Sequence, residues 1–209
     1  MDKDFSEILL KVRELFFRNG VRSVSTADIC REAGISKKEL SKHVSGKVDL
    51  VEKLLELERK NFEVIFDKYN FDGVNSIDIM VTVSKEVGER FWYVSPSMTF
   101  DLKKYYPEIY SRHIEERIEF IYEKMWLNIQ KGIRMGMYRA DLSVEMVTRL
   151  YISRLIDLHN PEFFPADKFS FQTLFEVMFD TFIRGIATPE GISHYESLKR
   201  KLDFNKFNQ

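Results

Sequence analysis

The 209-residue chain carries 32 basic and 33 acidic residues, which excludes a uniformly cationic nucleic-acid binder; any contact with phosphate has to be local. With 44% hydrophobic and 31% charged residues it is too apolar for a disordered chain and has the make-up of a globular protein. Cys30 is the only cysteine, which excludes an internal disulfide and a multi-cysteine zinc site and fits a reducing compartment.

The opening MDKDFSEILLKV has early acids and no long apolar run, so it does not read as a secretory signal. From there Phe5, Ile8, Leu9, Val12, Leu15 and Phe16 recur at helical spacing and predict a first amphipathic helix ending near Asn19-Gly20. Ser25 stands three before Asp28, and Ser36 three before Glu39. Each is a capping box, so short helices are expected at 26–33 and 37–44, with Gly34 turning the chain between them. A long helix follows from Lys47 into the 60s, and the turn residues at 70–76 end it. Helices are expected at 76–94, 98–105 and 107–135, with Pro96 and Pro107 at their starts and Gly132 and Gly136 loosening the end of the last. Ser143 caps a helix to about His159, another runs over 168–187, and Pro189 starts a last one to about Leu202. No strand alternation is convincing and no stretch reaches the roughly 18 apolar residues of a membrane span. The expected class is all-α, in a cytoplasmic protein with no membrane partner.

From Phe16 to Lys47 seven basic residues face three acids, a local excess of four that leaves the remainder at −5. In this basic stretch Ile29 and Ala33 pack one short helix, and Gly34 and Ile35 form the turn. Leu40 and Val44 hold the second helix inward, so Lys37, Lys38, Ser41 and Lys42 point outward. Such a face suits a DNA major groove, with lysines meeting phosphate. Spacing alone serves equally well for a surface helix pair with solvated lysines.

Residues 5–54 resemble the DNA-binding domain of the tetracycline-repressor (TetR) family. The resemblance is carried by Phe16 through Gly20-Val21-Arg22-Ser23-Val24-Ser25, by TADICREAGISKKEL (26–40) and by Lys47-Val48-Asp49-Leu50. It implies a helix-turn-helix domain at 1–46 and a helical ligand-binding and dimerisation domain at 47–209, with 47–70 as connecting helix. It also implies DNA contacts from Ser25, Thr26, Ser36, Lys37, Lys38, Ser41, Lys42, His43 and Lys47. The partners implied are a double-stranded operator, a second copy of the chain and a small-molecule effector; the function implied is that of an effector-released repressor. Gly132 to Leu142 is similar to the family's connector before its dimerisation helices. The chain departs from the family where Ser41 replaces a tyrosine that touches the DNA backbone and Glu39 replaces a neutral hydroxyl. Three roles stay open for Glu39: capping partner, repeller of phosphate, or acceptor from a cytosine amino group.

Of 29 aromatic residues, 26 lie beyond residue 50. Trp92, Phe100, Tyr105, Tyr106, Tyr122, Met125, Trp126 and Tyr151 are the expected lining of an effector pocket, for which aromatic walls and adaptable methionines are suited; the same residues also serve as plain core. The helices around 143–159 and 168–187 are apolar on more than one face, and Tyr151, Leu155, Phe175, Met178, Phe179 and Phe182 are expected at a dimer interface. Cys30 reads as a small core residue. His113 and Glu116 share a helix face with Arg117, a cation that disfavours metal there, so a solvated charged face is expected. No catalytic motif, metal site or cofactor site is found. Two further readings keep the helical fold: an architectural helix-turn-helix protein without effector, and an interaction scaffold whose Glu39 and Ser41 abolish DNA binding.

Overall fold

A computed structural model describes residues 3–91, 96–158, 160, 162–165 and 167–201. Among these the elements are helices: α1 Lys3–Asn19, α2 Thr26–Ala33, α3 Lys37–His43, α4 Lys47–Asp67, α5 Ser76–Phe91, α6 Pro96–Tyr105, α7 Pro107–Arg134, α8 Val144–Asp157, α9 Phe171–Ile186 and α10 Pro189–Lys201. The all-α expectation holds. Starts follow local chemistry: Pro96, Pro107 and Pro189 each open a helix, where a missing N–H costs nothing. Ser143 and Ser170 accept from the amides of Met146 and Thr173. Ser170 is why α9 begins at Phe171, three residues later than expected. The expected ends at Trp92 to Val94, His159 and Leu202 lie outside the described residues.

The chain divides into two compact units, Met1–Phe66 with Tyr93–Arg117, and Asp67–Trp92 with Ile118–Gln209. In the first, α1 packs on α2 and α6, and α2 on α3. Its core joins Leu9, Val12 and Phe16 of α1 to Ile29 of α2 and Leu40 of α3. Leu50, Val51 and Leu54 of α4 and Met98 and Leu102 of α6 complete it. Each such side chain taken fully out of water contributes about 1.5–3 kcal/mol. The core therefore runs past residue 46, where the sequence placed a boundary: three short helices bury too little by themselves, and α4 and α6 supply the rest.

In the second unit α5 packs on α9 and α10, and α8 on α9. Gly132 does not loosen α7. It sits inside that helix and makes room for the buried Tyr138 ring, whose hydroxyl donates to Asn128 Oδ1 at 3.2 Å. Asn128 in turn donates to the Ser76 carbonyl at 2.9 Å. The true turn is Gly136, in the left-handed region at φ 71°. Beyond it Arg139 N donates to the Ile186 carbonyl and Thr188 N to that of Met137, both at 2.9 Å, which ties the connector to the end of α9.

Candidate DNA-reading face

The N-terminus of α2 is a complete capping box. Ser25 Oγ accepts from Asp28 N at 3.2 Å and the Asp28 carboxylate accepts from Ser25 N at 3.0 Å. These bonds with Ser25, aided by Arg31, hold the Asp28 carboxyl below its ordinary range. α2 ends on Gly34 at φ 73°, with Ile35 N donating to the Cys30 carbonyl at 3.0 Å. Here only the backbone angle demands glycine, since a Cβ would meet nothing within 4 Å.

Ser36 caps α3 by accepting from Glu39 N at 3.0 Å, but the reciprocal half of the box is not made. The Glu39 carboxylate turns to Lys42, whose ammonium lies 2.9 Å away. The expectation of two matching capping boxes is corrected at this second one: at this exposed site attraction to a cation wins over the backbone amide. Leu40 and Val44 are buried, as their spacing required, while Thr26, Ser36, Lys37, Lys38, Ser41 and Lys42 are exposed.

Three expected DNA contacts have other work. Lys47 Nζ donates to the carbonyls of Arg22 and Val24 at 3.1 and 2.5 Å, and partial burial lowers its pKa against the pull of Asp101. Its ammonium secures the turn between α1 and α2. The His43 ring stacks on buried Phe5 (centroids 4.6 Å apart, 7° between planes) and its carbonyl accepts from Lys53 Nζ at 2.5 Å. The Ser25 hydroxyl is likewise spent on its cap. Arg18 pairs with Glu32 and Arg31 with Asp28. Among the described residues, Lys37 and Lys38 are thus the cations of this stretch without a partner in the chain.

What holds the α1–α2 turn comes from far along the chain. Gly20 stands at φ 75°, Arg22 N donates to Asp101 Oδ2 at 2.8 Å, and the Arg22 guanidinium lies 4.6 Å over the Tyr105 ring while bonding its hydroxyl. A Cβ on Gly20 would come within 2.8 Å of the Asp101 carboxylate. These partners stand about 80 residues apart, and no local pattern marks them.

Of the expected effector lining, Phe100, Tyr105 and Tyr106 belong to the first unit: Phe100 is exposed, Tyr105 holds Arg22, and Tyr106 packs on the N-terminal core. Tyr122, Met125, Trp126 and Tyr151 belong to the second, with Tyr122 and Trp126 in ring contact at 5.8 Å. Trp92 lies outside the described residues. The dimer set is also redistributed. Tyr151, Leu155, Phe175, Met178 and Phe179 are buried within the single chain and Phe182 is half-buried against Tyr151. The outward apolar residues of α8 and α9 are Met146, Leu150, Ile156 and Val177. Bulky aromatics fill the intrachain side because they gain most from close packing.

Cys30 is buried, as a small core residue should be. His113 is not on a solvated face: it is 8% exposed, with Nδ1 3.4 Å from Arg59 Nη1. Burial, together with Arg117 and Arg59, lowers its pKa to about 4, so it is neutral at pH 7. Glu116 pairs with Arg59 Nε at 2.7 Å. Two guanidiniums beside the histidine leave no place for a metal cation.

Residues 8–54, which contain this face, match the family model described as bacterial regulatory proteins, tetR family. Residues 8–54 are thus of the tetR-family DNA-binding type. It is similar to the HTH-type transcriptional repressor KstR2 of Rhodococcus jostii, at 24% identity over 151 residues, covering 69% of this chain and 72% of that protein. The fold matches that of the TetR-family protein CprB from S. coelicolor (TM-score 0.71, 16% identity, 96% of each chain). It also matches a gamma-butyrolactone receptor described as ArpA-like (TM-score 0.72, 16% identity, 96% of each chain). Those residues carry the DNA-binding unit of bacterial transcriptional regulators.

The salt bridge between Lys42 and Glu39 sets a test on this tetR-family reading helix. Glu39→Gln removes a negative charge from the face and releases Lys42. DNA affinity is expected to rise several-fold and the dependence of log affinity on log salt to steepen by about one per subunit. Titration of labelled DNA at three salt concentrations measures both. Weaker binding by the variant would instead assign Glu39 a base contact of its own.

Proposed function

We propose that this chain is an effector-released repressor that binds a pseudo-palindromic operator as a homodimer in the cytoplasm. The observation that carries the DNA half is the unpartnered pair Lys37 and Lys38 beside exposed Ser41 on a capped, glycine-turned helix. Residues 1–46 read DNA, and 47–209 hold the effector and the second copy. In a dimer the two reading helices enter successive major grooves about 34–36 Å apart. Met146 and Leu150, one turn apart on α8, and Val177 on α9 face the partner, an apolar stripe that a symmetric copy covers. The repressor sense follows the name of the R. jostii relative, and the small-molecule sense follows the receptor whose fold this chain shares. An effector acts by binding one spacing of the reading helices better than the other.

Selection of bound fragments from random DNA, with sedimentation of the complex, tests the proposal. The expected result is an inverted repeat bound by two chains, with affinity falling steeply as salt rises. Fragments with no shared sequence, or binding by one chain alone, would overturn it.

A further inference from the structure

Away from the reading helix, the first unit carries a second group of cations. Lys103 and Lys104 close α6, both exposed, and neither meets a carboxylate among the described residues. Their neighbours are rings. Lys104 Nζ lies 5.2 Å from the centroid of exposed Phe100 and 5.5 Å from that of Tyr105, and Lys103 Nζ lies 5.8 Å from that of Tyr110. An aromatic face steadies an ammonium without neutralising it.

The Tyr105 ring serves two cations. The Arg22 guanidinium lies 4.6 Å from the same centroid and bonds the Tyr105 hydroxyl. Arg22 and Lys104 therefore hold their charges at most about 10 Å apart, one Debye length at 0.1 M salt, and act together on a nearby anion. The bond to Tyr105 uses one N–H of an exposed side chain, and the guanidinium has others to give. Two acids stand close by in sequence. Asp101 is turned to Arg22 N at 2.8 Å, and Glu108 lies in the first turn of α7, where the positive end of that helix offsets it.

This group connects to the DNA-reading face. α3 ends at His43; four residues on, Lys47 opens α4 and donates to the carbonyls of Arg22 and Val24. The line from the end of α3 through Lys47 and Arg22 to Lys104 lies wholly in the first unit.

We propose that Arg22, Lys103 and Lys104 form a second phosphate-binding patch, by which α6 grips the DNA backbone beside the groove that α3 reads. Duplex DNA presents a negative charge about every 1.7 Å of its axis, so a duplex seated on α3 offers phosphate along this line. Phosphate calls for charge and N–H donors, which two free ammoniums and an open guanidinium edge supply. The inference rests on the DNA-reading assignment above. It carries the DNA contact onto a helix outside residues 8–54.

The full chain is compared with two double variants, Lys103→Gln with Lys104→Gln and Lys103→Arg with Lys104→Arg. Each is titrated at three salt concentrations with an inverted-repeat duplex selected by the parent and with a duplex of random sequence. The glutamine pair is expected to weaken binding to both duplexes by the same factor, at least about 10-fold at 0.1 M salt. Its salt dependence should be shallower by about two per subunit, while the arginine pair keeps the parent values. Ethylation of single phosphates in the selected duplex should reveal positions that matter to the parent and not to the glutamine pair. Equal affinity and salt slope for parent and glutamine pair would overturn the patch and leave the α3 reading standing. No salt-dependent binding by the parent would overturn both. A loss confined to the selected duplex shows base reading and overturns the backbone assignment. A lower melting temperature with an unchanged salt slope assigns the lysines to the carbonyl end of α6 and overturns it too.

Discussion

Alanine at both Lys37 and Lys38 is expected to lower DNA affinity on the order of 10-fold per lysine and to leave the fold intact. Both side chains are exposed and neither has a partner among the described residues, so truncation removes no bond seen there. The change in folding stability should stay within about 0.5 kcal/mol. Each lysine that meets a phosphate displaces close to one counterion, so the salt dependence of binding should become shallower by about two per subunit. Lys47→Ala is the informative contrast. Its ammonium holds the Arg22 and Val24 carbonyls, so its loss should lower the melting temperature as well as the affinity. Unchanged affinity and salt slope after removal of Lys37 and Lys38 would move the DNA-reading role to another surface. A shared loss of stability would instead show that these lysines support the fold.

Gly132→Ala is expected to be among the most damaging single methyl additions in the second unit. A Cβ there would lie 2.0 Å from Tyr138 Cδ2, 2.3 Å from its Cε2 and 2.7 Å from Ser76 Oγ. The tyrosine ring is fully buried and tied to Asn128, so it cannot step aside without opening the core. Overpacking of this kind costs about 3 kcal/mol, or roughly 10 °C in melting temperature for a chain of this size. The same exchange at Gly88, in helix α5 with nothing within 4 Å of the added carbon, should stabilise by about 0.5–1 kcal/mol. Thermal melts of the two variants against the parent decide the matter. If Tyr138→Ala is also introduced, the penalty of Gly132→Ala should largely disappear, because the clash is with that ring. A penalty that persists there would place the strain elsewhere.

Short-range chemistry was legible in the sequence. Ser25 with Asp28, Gly34 with Ile35, and the spacing of Leu40 and Val44 define the two short helices, because caps, left-handed turns and one-turn periodicity each involve residues within about five positions. The outward set Lys37, Lys38, Ser41 and Lys42 follows from the same periodicity. Apolar stripes on two faces of α8 and α9 were equally visible.

Tertiary structure alone decided where competing partners went. Glu39 had an amide and a lysine within reach, and Lys42 won it. Lys47 and Tyr105 looked available to DNA and effector, yet both were claimed by the α1–α2 turn. Tyr151 and Phe179 turned into their own chain, while Met146 and Val177 were left outside. Each outcome is settled by a comparison between contacts far apart along the chain, and the energy of such a contact exists only once folding has brought its two sides together.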